Sequence, residues 1–121
     1  VVYFILGKLT RRIKIGYSKH SGEVDTRFHY LRRDNSDDLE LLGRIDGEIA
    51  DEQALHAEVE HYRAHNEWFM AEPEVISLVA RELSVEPAAI SERVLATEYL
   101  QGVPNGTPRE AQRRTEPQIV Q

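Results

Sequence analysis

The chain has 121 residues and no cysteine, which fits one compact domain with a short appendage and excludes disulfides and cysteine-based zinc or catalytic sites. Its net charge of −6 is unevenly spread: residues 1–33 carry eight Lys/Arg against two acids, whereas residues 34–74 carry two Arg against thirteen acids, so an acidic whole can still attract phosphate to one face. The longest apolar run, VVYFIL, is too short to span a bilayer and no signal-peptide pattern follows it, so an intracellular protein is expected.

In chain order, VYFIL at 2–6 is short, β-branched and aromatic and predicts a strand. GKLTRR at 7–12 reads as a hairpin loop, IKIG at 13–16 as the return strand, and YSKHSGE at 17–23 as a loop. A helix is predicted from about Val24 to Arg33, with Phe28 and Leu31 on its inner face. DNSDD at 34–38 has turn chemistry. LELLGRID at 39–46 predicts a third strand in which Gly43 marks a bulge or a close approach. A long helix is predicted over 49–65 from Leu55, Val59 and Tyr62 at i, i+4, i+7. Helices over about 73–83 and 87–101 each open at a proline. From Gly102 the chain is Gln-, Pro- and Arg-rich and reads as a disordered tail. The expected class is α+β: a three-stranded antiparallel sheet flanked by helices over 1–72, a helical extension over 73–101, and the tail over 102–121.

The hairpin register follows from the apolar pattern. Pairing Tyr3 with Gly16 and Ile5 with Lys14 puts Val2, Phe4, Leu6, Ile13 and Ile15 on one face. Tyr3 and Lys14 then share the other face as diagonal neighbours about 7–8 Å apart. A cation there favours phenolate and makes Tyr3 a candidate base; the alternative is a packed Tyr beside a Lys stem. On the helical wheel Glu52 falls within about 60° of the buried stripe, with His56 and Arg63 on the same side. A carboxylate in that position is either paired, with Arg63 or His56, or holds a hard divalent cation. Arg27, early in the first helix, is either an exposed helix Arg or a bidentate phosphate clamp.

A Tyr on a hairpin, a Gly-ended second strand, an Arg on the next helix and a Glu on the following helix form an ordered set. With VYFI at 2–5, IKIGYS at 13–18, Arg27, Leu31, LLG at 41–43, Glu52, LH at 55–56 and EWF at 67–69, the sequence resembles the GIY-YIG endonuclease superfamily. The likeness is greatest to a phage and bacterial branch whose second triplet reads KIG, and it covers about residues 1–70. The resemblance implies cleavage of DNA phosphodiester bonds with Mg²⁺ or another divalent cation such as Mn²⁺. It assigns Tyr3 and Lys14 to activation of the nucleophile, with Lys14 in the place of the second triplet's Tyr and assisting deprotonation, Arg27 to the phosphate and Glu52 to the metal. Gly16, Ser18 and His56 are expected on the substrate side: Gly16 by close backbone approach, Ser18 by touching phosphate or capping a turn, and His56 one turn below Glu52. The first triplet departs from the pattern as Val-Val-Tyr. The alternative function is a non-catalytic nucleic-acid-binding or regulatory module retaining the fold.

Two further signals stand apart. His61 and His65 sit at i, i+4 if the long helix is continuous, the spacing of two zinc ligands, but no third ligand stands at a fitting spacing, so an exposed helix pair is the expected reading. Ala80, Ser84 and Ile90 have helix-turn-helix spacing, with Ser where Gly is usual, but the second helix would offer only Arg93 beside Glu92 for reading DNA, so a packed helical pair is the favoured reading.

Overall fold

A computed structural model describes residues 1–102 of the chain. Five strands and four helices follow one another as β1 (Val2–Gly7), β2 (Arg12–Tyr17), α1 (Ser21–Asp34), β3 (Leu39–Ile45), α2 (Ile49–Glu58), β4 (Arg63–His65), β5 (Trp68–Met70), α3 (Pro73–Leu83) and α4 (Pro87–Gly102). They build one sheet in the order β3-β1-β2-β5-β4, antiparallel at every pairing. The α+β class stands, but the sheet has five strands where three were expected.

The central hairpin adopts the register the apolar pattern requires, with Tyr3 opposite Gly16 and Ile5 opposite Lys14. Its two faces feed two cores. Val2, Phe4, Leu6, Ile13 and Ile15 meet Leu55 and Val59 of the α2 segment and the apolar stripes of α3 and α4, among them Val75, Val79, Ile90 and Val94. Tyr3 and Ile5 point the other way, into a smaller cluster with Val24 and Leu39 that Phe28 and Leu31 of α1 cover.

The predicted 49–65 helix stops early. α2 ends at Glu58, Glu60–Tyr62 form a 3₁₀ turn, and Arg63–Met70 fold back as a hairpin on the free side of β2. Val59 is 2% exposed and Tyr62 packs against the larger core, so the i, i+4, i+7 spacing is satisfied although the helix does not run through it. Asn66 turns the hairpin at φ 52°, a left-handed conformation that Asn tolerates better than most side chains.

α1 begins three residues before the expected Val24, taking Gly22 into its first turn. Between β1 and β3 the register slips after Phe4, and a Cβ on Gly43 would lie 2.7 Å from Leu83 Cδ2. Gly43 therefore marks both the irregularity and the close approach of α3. Ser84 closes α3 in the left-handed region at φ 58°, where a helix-turn-helix places Gly. The pair packs through Ala80 and Ile90, each 1% exposed, while Arg93 turns back to pair with Glu40. The expected tail beyond Gly102 lies outside the described residues.

Candidate active site

The hairpin β4–β5 creates an opening in the sheet. β5 pairs with β2 only over Arg12–Lys14, so the outer edge of β2 lacks a strand partner from Ile15 onward. One backbone carbonyl and one side chain close that edge at Ile15. The Glu67 carbonyl accepts from Ile15 N at 3.0 Å, and His56 Nε2 lies 2.8 Å from Ile15 O. A carbonyl can only accept, so Nε2 carries the proton and Nδ1 is left as the acceptor of the neutral ring. His56 thus has a definite task in the sheet, and its ring lies 5.1 Å from that of Phe69.

Beside this edge lies an open cleft of about 580 Å³ whose walls include Lys14, Glu52, His56, Asn66, Glu67 and Trp68. Lys14 comes from β2, Glu52 and His56 from α2, and the rest from the hairpin. The Lys14 ammonium is 3.0 Å from Glu67 Oε1 and 5.9 Å from the Trp68 ring centroid. A carboxylate and an aromatic face thus hold the Lys14 side chain in place at the cleft wall.

Glu52 differs from Glu67. Its side chain is buried, with 7% of the residue exposed, and it makes no hydrogen bond or ion pair among the described residues. Arg63, a candidate partner on the wheel, instead grips Glu60 at 2.7 Å and the carbonyl of Asn66. Burial pushes the Glu52 carboxyl above the usual range and Glu67 adds to the effect, with His56 and Lys14 opposing it. A buried carboxylate with no cation in contact is costly to ionise. One such group suits a hard cation that keeps most of its water, as Mg²⁺ does. It does not suit an ion needing a full protein cage: among the described residues no group of three or more His, Asp or Glu could hold a metal. His61 lies in the 3₁₀ turn and His65 in β4, so the helical zinc spacing is not realised.

The remaining site candidates surround the end of β2. Tyr3 is 3% exposed, and its ring fills the space above Gly16, where a Cβ would fall 2.4 Å from Cζ and 2.6 Å from the hydroxyl. No hydrogen-bond partner reaches that hydroxyl among the described residues. Arg27 is exposed on α1 and donates from Nη1 to the Tyr17 carbonyl at 3.4 Å. Ser18 is fully buried; its hydroxyl donates to Glu23 Oε1 at 2.8 Å and holds that carboxyl below its usual range. Ser18 therefore fastens the entry to α1. Lys14, Glu52 and His56 share the cleft, whereas Tyr3 and Arg27 stand outside its wall, near Gly16 and Tyr17.

Sequence reasoning assigned no role to Glu67 or Trp68. The signal was present in Asn66-Glu67 ahead of the apolar run W-F-M, which as a strand beside β2 sets Trp68 opposite Lys14. The sequence pattern of the T5orf172 domain matches residues 1–84. No curated protein and no solved structure matches the chain.

Proposed function

Since the chain belongs to the T5orf172 domain family, which is GIY-YIG-related, we propose that it is a divalent-cation-dependent endonuclease hydrolysing phosphodiester bonds of DNA. The observation that carries this reading is Glu52, a buried carboxylate without an ion-pair partner among the described residues, facing a cleft that also presents the Lys14 cation. Glu52 would hold the cation, which when bound supplies Lewis-acid stabilisation of the phosphate's growing charge. Arg27, exposed and holding the Tyr17 carbonyl by a long hydrogen bond, is available to phosphate oxygens. Lys14, held by Glu67 and Trp68, adds a fixed positive charge where negative charge develops.

Tyr3 orients the attacking water through its hydroxyl. As the water oxygen bonds to phosphorus, the ester bond to the leaving oxygen breaks, the water's proton passes to solvent and the leaving oxygen takes a proton from solvent. Lys14, ion-paired with Glu67, contributes its charge beside the water that Tyr3 orients.

The test is incubation of the chain with plasmid and branched DNA, in Mg²⁺ or EDTA, beside Glu52→Gln and Tyr3→Phe. Cutting that needs metal and is lost in both variants, with the fold intact by circular dichroism, is the expected result. Wild-type cutting by either variant would remove that residue from the site. The second reading, a nucleic-acid-binding or regulatory module without catalysis, is favoured by the position of Tyr3 and Arg27 outside the cleft wall. Salt-sensitive DNA binding with no metal-dependent cutting would establish it.

A further inference from the structure

A second hollow adjoins the first. It has a volume of about 270 Å³, and its walls include Leu9, Arg12, Asn35, Asp37, His65 and Trp68. His65 and Trp68 also line the cleft of Lys14 and Glu52, so the two hollows meet at these side chains and form one groove. Arg12 and Lys14 project from alternate positions of β2 on the same face, two residues apart and so about 7 Å along the strand.

Three observations give the second hollow a chemical character. Arg12 is half-buried and its guanidinium has no hydrogen bond or ion pair among the described residues. Trp68 is a half-buried aromatic ring at the junction. The one acid in the wall, Asp37, is already occupied: it accepts from Leu9 N at 2.7 Å, Thr10 N at 3.3 Å and Thr10 Oγ1 at 2.6 Å, so it serves to lock the β1–β2 loop. A cation with no ion pair among the described residues, an aromatic ring and a space the size of one nucleotide are together the elements that grip single-stranded nucleic acid.

We propose that this second hollow binds one unpaired nucleotide of the DNA strand, adjacent to the phosphate held at Lys14 and Glu52. Arg12 takes its phosphate and Trp68 stacks on its base. The inference rests on the reading of the first cleft as a nucleic-acid site. It adds a preference that reading does not contain: a base inserted beside Trp68 must be out of its duplex, so frayed, branched or single-stranded DNA is favoured over continuous duplex.

Trp68 is the single tryptophan of the chain, so its emission reports the site directly. The full chain is titrated in EDTA with short oligothymidylate, followed at once by tryptophan emission and by the anisotropy of a label on the oligonucleotide. A saturable quench with the same midpoint as the anisotropy is expected, with weaker binding of a duplex of equal length. Trp68→Ala should bind roughly five- to a hundredfold more weakly, the range for loss of one stacked base. Arg12→Ala should lower the slope of log affinity against log salt by about 0.7, one phosphate contact on a single strand. Trp68→Phe keeps a ring and should retain most of the affinity; with Arg12→Ala it keeps the test open if Trp68→Ala does not fold. The proposal is overturned by binding without quench, by duplex bound as tightly as single strand, by wild-type affinity in both Arg12→Ala and Trp68→Ala, or by no binding. Quench without Mg²⁺-dependent cutting would keep this subsite and remove the nuclease reading, and cutting without quench would do the reverse.

Discussion

Tyr3 and Gly16 occupy each other's space: the ring lies where a side chain at position 16 would begin. Gly16→Ala is expected to destabilise the fold by about 1–3 kcal/mol through overpacking. Tyr3→Ala should cancel much of that cost in the double variant, as a denaturation cycle would show. Glu52 yields a prediction of the opposite sign. Its folded-state pKa is raised, so its contribution is complete below the unfolded value and is lost as pH rises through the folded one. At neutral pH Glu52→Gln should therefore raise stability, by less than about 1 kcal/mol because the open cleft admits water, and the gain should vanish below about pH 4. Thermal melts of both proteins across that range check it. Of these residues, the burial of Glu52 and the facing of Tyr3 with Gly16 were legible from apolar spacing alone. The ion pair of Lys14 with Glu67 was not, because it depends on a hairpin that periodicity does not announce.

At the scale of elements, the strands of the central hairpin were readable because period-two alternation leaves only one register with a clean apolar face. The β4–β5 hairpin was hidden for a physical reason. Each of its strands has three residues, and all three of β4 are exposed, so neither carries an alternation long enough to register. The preceding Leu55, Val59 and Tyr62 fit a continuous helix just as well as a helix with a 3₁₀ end. The turn of this hairpin and the α3–α4 turn, which the sequence did announce, both use a non-glycine residue at positive φ, Asn66 and Ser84. Ser84→Gly should stabilise α3 by about 1 kcal/mol, since glycine adopts the left-handed cap without the Cβ penalty. For a domain of this size that is a rise in Tm of about 4–8 °C. Asn66→Val should do the reverse, with loss of the hairpin read from Trp68 emission.

At the scale of the whole molecule, ion pairs tie distant elements across an acidic surface. Glu58 of α2 meets Arg81 of α3 at 2.6 Å, and Asp25 of α1 meets Arg44 of β3 at 2.8 Å. Both carboxyls are held below their usual ranges by these partners. Their stabilisation is present above the unfolded values and lost as pH falls through the folded ones, so Tm should decline below about pH 4. In Arg81→Ala the Glu58 share of that decline should be absent. The pairs are exposed, and each is worth little alone. The two cores flanking the sheet differ far more. α2, α3 and α4 share the larger one, whereas α1 rests on a cluster whose buried members are Tyr3, Ile5, Val24 and Leu39. That inequality implies a hierarchy of opening in amide hydrogen exchange. The α1 amides should exchange through a partial detachment at markedly lower free energy than those of β1, which is bonded on both sides. Arg27 travels with α1, so the guanidinium assigned to phosphate belongs to the half of the molecule that breathes, while Glu52 stays anchored in the half that does not.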